Sequence, residues 1–167
     1  MADKYLYNNA GTVTEKAAII TSAGVGDSGK VIALDASGKL DTSFMPVGIG
    51  ADTQVITASE ALAAGAYVNV WNSTGAKVRN ADATVAGKEA HGFVLSAVSS
   101  SAAATVYFEG TNTAVTGQTP GVVFLSTTAG TGTTTAPSTS GNAVQRIGFA
   151  TSATTVNFQS QPPVILA

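Results

Sequence analysis

The clearest hydrophobic pattern in the chain is an alternation. Tyr67-Val68-Asn69-Val70-Trp71 puts Tyr67, Asn69 and Trp71 on one face of a strand and Val68 and Val70 on the other. Asn72-Ser73-Thr74-Gly75 supplies a hairpin turn, and Ala76-Lys77-Val78-Arg79 returns. Thr53-Gln54-Val55-Ile56-Thr57-Ala58, His91-Gly92-Phe93-Val94-Leu95 and Ala104-Thr105-Val106-Tyr107-Phe108 read as further short strands. Ser59 to Gly65 reads as a turn or one helical turn. Short strands with turn signals about every ten residues predict an all-β body, a small barrel or sandwich.

The pattern then recurs. Gly65-Ala66-Tyr67-Val68 matches Gly121-Val122-Val123-Phe124, and Gly92-Phe93-Val94-Leu95-Ser96-Ala97 matches Gly148-Phe149-Ala150-Thr151-Ser152-Ala153, both at an offset of 56 residues. Thr105-Val106-Tyr107-Phe108 matches Thr155-Val156-Asn157-Phe158 at an offset of 50, which makes Ser99 to Ala103 a short insertion. The body, residues 51–167, is therefore expected to hold two similar β units, at about 65–108 and 121–158. Packed together, they would bury Val and Phe faces that neither could bury alone.

Residues 1–50 follow a different pattern. Tyr5 to Asn9 reads as a short strand ending in a turn at Ala10-Gly11. Glu15 to Ile20 has some helical character but is too short to stand alone. Gly24, Gly26 and Gly29, with Asp27 and Ser28, read as flexible linker. Lys30 to Asp35, a turn at Ala36-Ser37-Gly38 and a return through Lys39-Leu40-Asp41 predict a small hairpin near residues 30–40, and Pro46, Gly48 and Gly50 close the segment. The large apolar side chains are too few to bury a core. The segment is thus expected to be an extended N-terminal arm that needs a partner surface. Its candidate contact residues are Tyr5, Leu6, Tyr7, Ile19, Ile20, Val31, Ile32, Leu34, Leu40, Phe44 and Met45. In the body, Trp71 is a candidate interface anchor beside Tyr67, with core packing as the competing reading. At the C-terminal end Val164, Ile165 and Leu166 are expected to be buried against the body or a neighbouring subunit, because an exposed apolar tail is a liability.

Composition sharpens this picture. Charged residues make up 11% of the chain, against about 25% in an average soluble protein. A weakly charged surface of Thr, Ser and Ala is easier to desolvate against another protein than one of Lys and Glu. The formal net charge is −2, with no basic face evident, so a nucleic-acid partner is not expected. The absence of Cys removes disulfides, thiolate chemistry and Cys-ligated zinc. Met1-Ala2-Asp3-Lys4-Tyr5 leads into polar residues rather than an apolar leader. No run approaches the roughly 20 apolar residues of a membrane span. The expectation is a protein made in the cytoplasm, with no membrane partner.

The chemistry-bearing residues are sparse. His91 is the only histidine, and it sits just before an apolar strand, where it reads as a strand-end side chain rather than the base of a triad. Asp35, Asp41 and Asp52 read as turn residues rather than metal ligands. Gly24-x-Gly26-x-x-Gly29-Lys30 resembles a phosphate loop only superficially, because Val31 to Leu34 continues as a strand and not as a helix. Nothing places Glu89 beside Glu109 as a glycosidase pair. The low-complexity stretch from Thr127 to Gly141 reads as an exposed hairpin loop, which could also stand at the tip of an assembly. An enzyme is not expected, nor is a cofactor, a metal or a small-molecule substrate.

Two stretches carry a family resemblance. Gly29-Lys30-Val31-Ile32-Ala33-Leu34-Asp35-Ala36-Ser37-Gly38-Lys39-Leu40-Asp41, followed by Met45-Pro46, resembles a segment recurrent in structural proteins of tailed bacteriophages. Gly121 to Ser126, then Ala136-Pro137, then Gly141-Asn142-Ala143-Val144-Gln145-Arg146-Ile147-Gly148 is similar to β modules of phage head-decoration, head-fibre and tail proteins. The whole most resembles a capsid decoration, or cement, protein. That resemblance implies a small β-rich homotrimer on the outer capsid surface of the virion. It would bind the major capsid protein where capsomers meet and lock the shell. A tail-fibre or head-fibre component that attaches to the host is the alternative it leaves open. A small hydrolase acting on cell-surface polymer is a more distant reading, and it would require His91 and the acids.

Overall fold

The computed structural model describes residues 4–45 and 51–167, in two compact units, Met1–Gly50 and Ala51–Ala167. The closing Pro46, Gly48 and Gly50 and the first three residues lie outside the described residues.

The arm begins with an antiparallel hairpin of β1 (Lys4–Asn9) and β2 (Thr12–Ala17), in which Tyr7 faces Thr14. Ala10 and Gly11 turn at positive φ, 49° and 94°, and the Asn8 side-chain oxygen accepts from the Gly11 N–H at 2.8 Å. Glu15, Lys16 and Ala17 are therefore strand, not helix. Thr12, Val13 and Thr14 supply β-branched partners across the pair, and the helical signal was too short to compete. The arm's hairpin thus lies at residues 4–17 rather than near 30–40. Ile19 instead makes a parallel bridge to Ile32, with the Ile19 N–H on the Val31 carbonyl at 3.0 Å and the Ala33 N–H on the Ile19 carbonyl at 2.9 Å. Only the predicted turn survives in that region: the Asp35 carboxylate accepts from the backbone N–H groups of Ser37 and Lys39. The glycine-rich run is not a loose linker either. It forms a 3-10 turn at Val25–Asp27, where the Asp27 carboxylate takes the Ala23 N–H and pairs with Lys30. A second 3-10 turn, Thr42–Phe44, is capped by Asp41 through the Ser43 N–H. Ala18 is the one buried residue among those described in the arm.

The body is all β. Its first five strands are β3 (Thr53–Ala58), β4 (Tyr67–Asn72), β5 (Ala76–Asn80), β6 (Gly92–Phe93) and β7 (Ala103–Tyr107). They form a closed barrel in the order β3-β5-β4-β6-β7. The seam is a parallel pairing of β3 with β5, Thr57 to Lys77 and Ala58 to Val78. The next strands are β8 (Gly110–Asn112), β9 (Gly121–Leu125), β10 (Gly132–Thr133), β12 (Arg146–Ser152) and β13 (Thr155–Phe158), ordered β10-β9-β12-β13-β8. Taken in chain order, both sets run third, second, fourth, fifth, first across the sheet. The first set closes on itself; the second stays open. A small pair, β11 (Ala143–Val144) with β14 (Val164–Ile165), accompanies them.

Two apolar layers hold the body. Ile56, Val68, Val78, Val94 and Val106 fill the barrel. Tyr67 and Phe93, on the barrel's outside, meet Val123, Leu125, Ile147, Val156 and Phe158 from the second sheet. The Phe93 ring lies 5.5 Å from Phe158 and 5.3 Å from Tyr107, centroid to centroid. Two glycines allow this packing. A Cβ on Gly92 would come within 2.5 Å of the Tyr107 carbonyl oxygen, and one on Gly148 within 2.0 Å of the Asn157 carbonyl oxygen. They occupy matching places in the two sheets.

Val164 is 64% exposed and Ile165 is exposed too, with Leu166 half-buried, so the tail is not buried against the body, the first of its two expected places. The tail is held by backbone pairing to β11, which needs no burial of these side chains. The stretch from Thr127 is also not a free loop throughout. It contains β10, and Gly130 is buried, donating to the Ala81 carbonyl at 2.7 Å and accepting from the Tyr67 N–H at 3.0 Å.

Candidate interaction surface

In the arm, strand and turn formation leave apolar side chains without a core to enter. Leu6 on β1 is 75% exposed and Val25 is 95% exposed; Tyr7, Ile20, Val31, Ile32, Leu34, Leu40 and Met45 are exposed as well. Tyr5, Ile19 and Phe44 are half-buried. The fold brings five of the predicted contact residues together: Tyr5, Ile20, Val31, Ile32 and Leu34 line a groove of about 650 Å³ with Ala18, Ala33 and Ala36. The Tyr5 hydroxyl is enclosed and has no hydrogen-bond partner among the described residues. Tyr7, Leu40, Phe44 and Met45 are not part of that groove. Sequence reasoning missed Val13, which stands exposed opposite Asn8. Its alternation with Glu15 would have placed it on the Leu6 face.

Several of the arm's charges have local partners. Lys4 pairs with Glu15 at 2.6 Å, and Lys16 lies 4.6 Å from the centroid of the Tyr7 ring. Hydrogen bonds hold the Asp35 carboxyl below its usual value, first from the Lys39 N–H and then from Ser37; Ser43 does the same for Asp41. These two carboxylates act as turn locks. The arm therefore presents exposed apolar side chains, with Lys4 and Asp35 at the groove.

In the body, Trp71 is half-buried. Its ring lies under the Arg79 guanidinium at 4.6 Å, and its indole N–H donates to the Ser59 hydroxyl at 3.2 Å. Tyr67, on the same strand face, is fully buried. Burial pushes its phenol up from the ordinary range, and its hydroxyl lacks a partner among the described residues. The pair therefore divides: Tyr67 belongs to the core and Trp71 to its edge.

The buried polar groups are structural in geometry. Gln145 accepts from the Ala90 N–H at 2.7 Å and donates to the Ala90 carbonyl at 3.0 Å, replacing a strand neighbour. Asn112 donates to the Gly65 carbonyl at 2.9 Å. His91 is exposed, and its Nδ1 accepts from the Val70 N–H at 3.1 Å. Its imidazole thus caps a backbone donor where β6 stops pairing with β4. Glu89 accepts from the Gly87 N–H. Among the described residues, no three His, Asp or Glu side chains gather as a metal-ligand group. No helix is long and apolar enough to cross a membrane, again among the described residues.

No family model, curated protein or solved structure matches the chain.

Proposed function

We propose that this protein is a structural virion component that binds the outer surface of a phage capsid and stabilises the shell by bridging capsomers. The single observation that carries the proposal is the arm: a folded segment with a row of exposed Leu, Ile and Val and almost nothing buried. A two-stranded hairpin is marginal in water by itself. Such a segment gains its stability on a partner surface, through apolar burial and backbone pairing. The major capsid protein is the partner this reading names, and many identical contacts around a shell multiply a modest affinity. The role requires no catalysis, cofactor, nucleic acid or membrane, and the resemblance adds a homotrimer as the bound form.

The test is co-sedimentation with expanded capsids that lack the protein. The full chain should pellet with capsids, and a chain starting at Ala51 should stay in the supernatant. If the full chain also stays behind, the capsid reading fails.

A further inference from the structure

We propose that a pocket in the body, where the second set of strands stays open, binds an uncharged saccharide unit. The site is built from the body alone and does not rest on the capsid reading. It follows from the two matching strand orders. The first set is sealed by pairing its first strand with its third, β3 with β5. The equivalent strands of the second set, β8 and β10, stand at opposite ends of an open sheet. The segment that follows β8 and the one that leads into β10 instead wall a pocket of about 410 Å³, which is the size of a small-ligand site. The run into β4 and Asn80, the last residue of β5, complete it.

The pocket has a buried floor and an exposed rim. Gly65, Ala66, Tyr67, Val115 and Gly130 are buried, whereas Ala63, Ala64, Thr116, Ala129 and Thr131 are exposed. No described residue that lines it carries a charge, so an ion would leave water there without a partner. What the pocket offers is uncommitted polar atoms. Tyr67 is 0% exposed, and its hydroxyl has no hydrogen-bond partner among the described residues. Its ring atom Cε2, next to the carbon that bears the hydroxyl, lies 3.2 Å from where a Cβ on Gly132 would stand. The hydroxyl end of the ring therefore lies against Gly132, part of the pocket wall. Asn80 gives its Nδ2 hydrogens to the Glu60 carboxylate at 2.7 Å and the Ala61 carbonyl at 3.1 Å, which leaves Oδ1 as an acceptor with no donor among the described residues. That oxygen is 2.6 Å from where a Cβ on Gly130 would stand, so only glycine at 130 leaves it room. Gln118 likewise commits Nε2 to the Thr116 carbonyl at 3.3 Å and keeps Oε1.

A buried donor beside two acceptors fits ligand hydroxyl groups, each of which both donates and accepts. A buried hydroxyl without a partner destabilises the fold, and a ligand oxygen that accepts from Tyr67 removes that cost. Between the polar atoms the lining is largely alanine methyl and glycine, which suits the C–H faces of a small ring. A ring that bears several hydroxyls and no charge is a saccharide unit, either free or within a polymer. An extended peptide fits less well. Apart from Gly132, the walls that come from the second set are loop and give a peptide no ladder to join.

The experiment is ligand-observed NMR of the full chain with glucose, galactose, N-acetylglucosamine and a soluble dextran, repeated on Tyr67→Phe and Ala64→Phe. Tyr67→Phe removes only the unpartnered hydroxyl. Its thermal midpoint should stay level or rise while affinity falls by at least about tenfold. Ala64→Phe places a ring at the exposed rim and should abolish binding while keeping the wild-type circular dichroism. Binding of a single sugar supports the site with a free unit as ligand, and binding of dextran alone supports it with a unit inside a polymer. If none of the four probes binds the wild type, or if a folded Tyr67→Phe binds like the wild type, the proposal is overturned. Should Tyr67→Phe misfold, Ala64→Phe decides in its place, and unchanged binding by it overturns the proposal as well. Co-sedimentation with capsids is a separate measurement, so either reading can fail alone.

Discussion

The arm and the body draw on the same small, weakly charged residues, yet they are held together differently. In the body, apolar side chains on successive strand positions enter two different layers, Val68 inside the barrel and Tyr67 beneath the second sheet, and Tyr67, Phe93 and Phe158 reach full burial. In the arm, apolar side chains fall on both faces of β1, Leu6 on one and Tyr5 and Tyr7 on the other, so no face is apolar enough to pack. Side-chain locks stand in for packing: Asp27, Asp35 and Asp41 each fix a turn. Long-range burial makes a unit that stands alone, whereas local hydrogen bonds shape a segment without stabilising it.

The contrast can be broken most sharply by side-chain truncation. Phe158→Ala should destabilise the body by about 3–5 kcal/mol, because it removes the ring that meets both Tyr67 and Phe93. Leu6→Ala should change stability by less than about 0.5 kcal/mol, as expected of an exposed position. Thermal unfolding of both variants checks the pair, and a large loss from Leu6→Ala would mean the arm has a core of its own. Next in size is Gln145→Leu, which leaves the Ala90 N–H without its partner and the Ala90 carbonyl with the Ser160 hydroxyl alone, and should cost about 1–3 kcal/mol. Urea unfolding measures it, and a neutral result would show that the amide does not act as the missing strand.

The smallest effect is in the arm and depends on pH. Asp35 and Asp41 have folded pKa values below their ordinary 3.8. Ionised carboxylates make the turns, so their contribution is present at neutral pH and is lost only as pH falls below that ordinary value. The amide resonances of Ser37, Lys39 and Ser43 should therefore hold their shifts until strongly acidic pH. Midpoints above the ordinary value would contradict the turn locks, and Asp35→Asn should remove the transition at Ser37 and Lys39 only.

The body was more legible in the sequence than the arm, for the same physical reason. Alternation from Tyr67 to Trp71 marks β4 as a strand and sorts Tyr67 and Val68 onto opposite faces, both of which are buried, and the matched Gly92 and Gly148 are visible because no Cβ fits at either place. The match of Tyr67 to Val123 misses by one residue. The strand pairing sets Val122, not Val123, opposite Phe149. In the arm, the Glu15 to Ile20 run carried a weak helical signal that pairing with β1 overrode. The groove was legible only as a set of apolar residues, since the bridge between Ile19 and Ile32 that assembles it joins residues with no shared period. Phe149 was missed as a surface residue because its repeat partner, Phe93, is core.

The seam between β3 and β5 also bears on how the chain is made. Every strand of the first set finds its neighbours within residues 53–107. As synthesis proceeds from the N-terminus, this barrel can close its hydrogen-bond ladder before the second set leaves the ribosome. The second set has no such seam and arrives at a finished surface bearing Tyr67 and Phe93. Folding of the body is thus expected to be ordered in time, with the earlier half serving as the template on which the later half condenses.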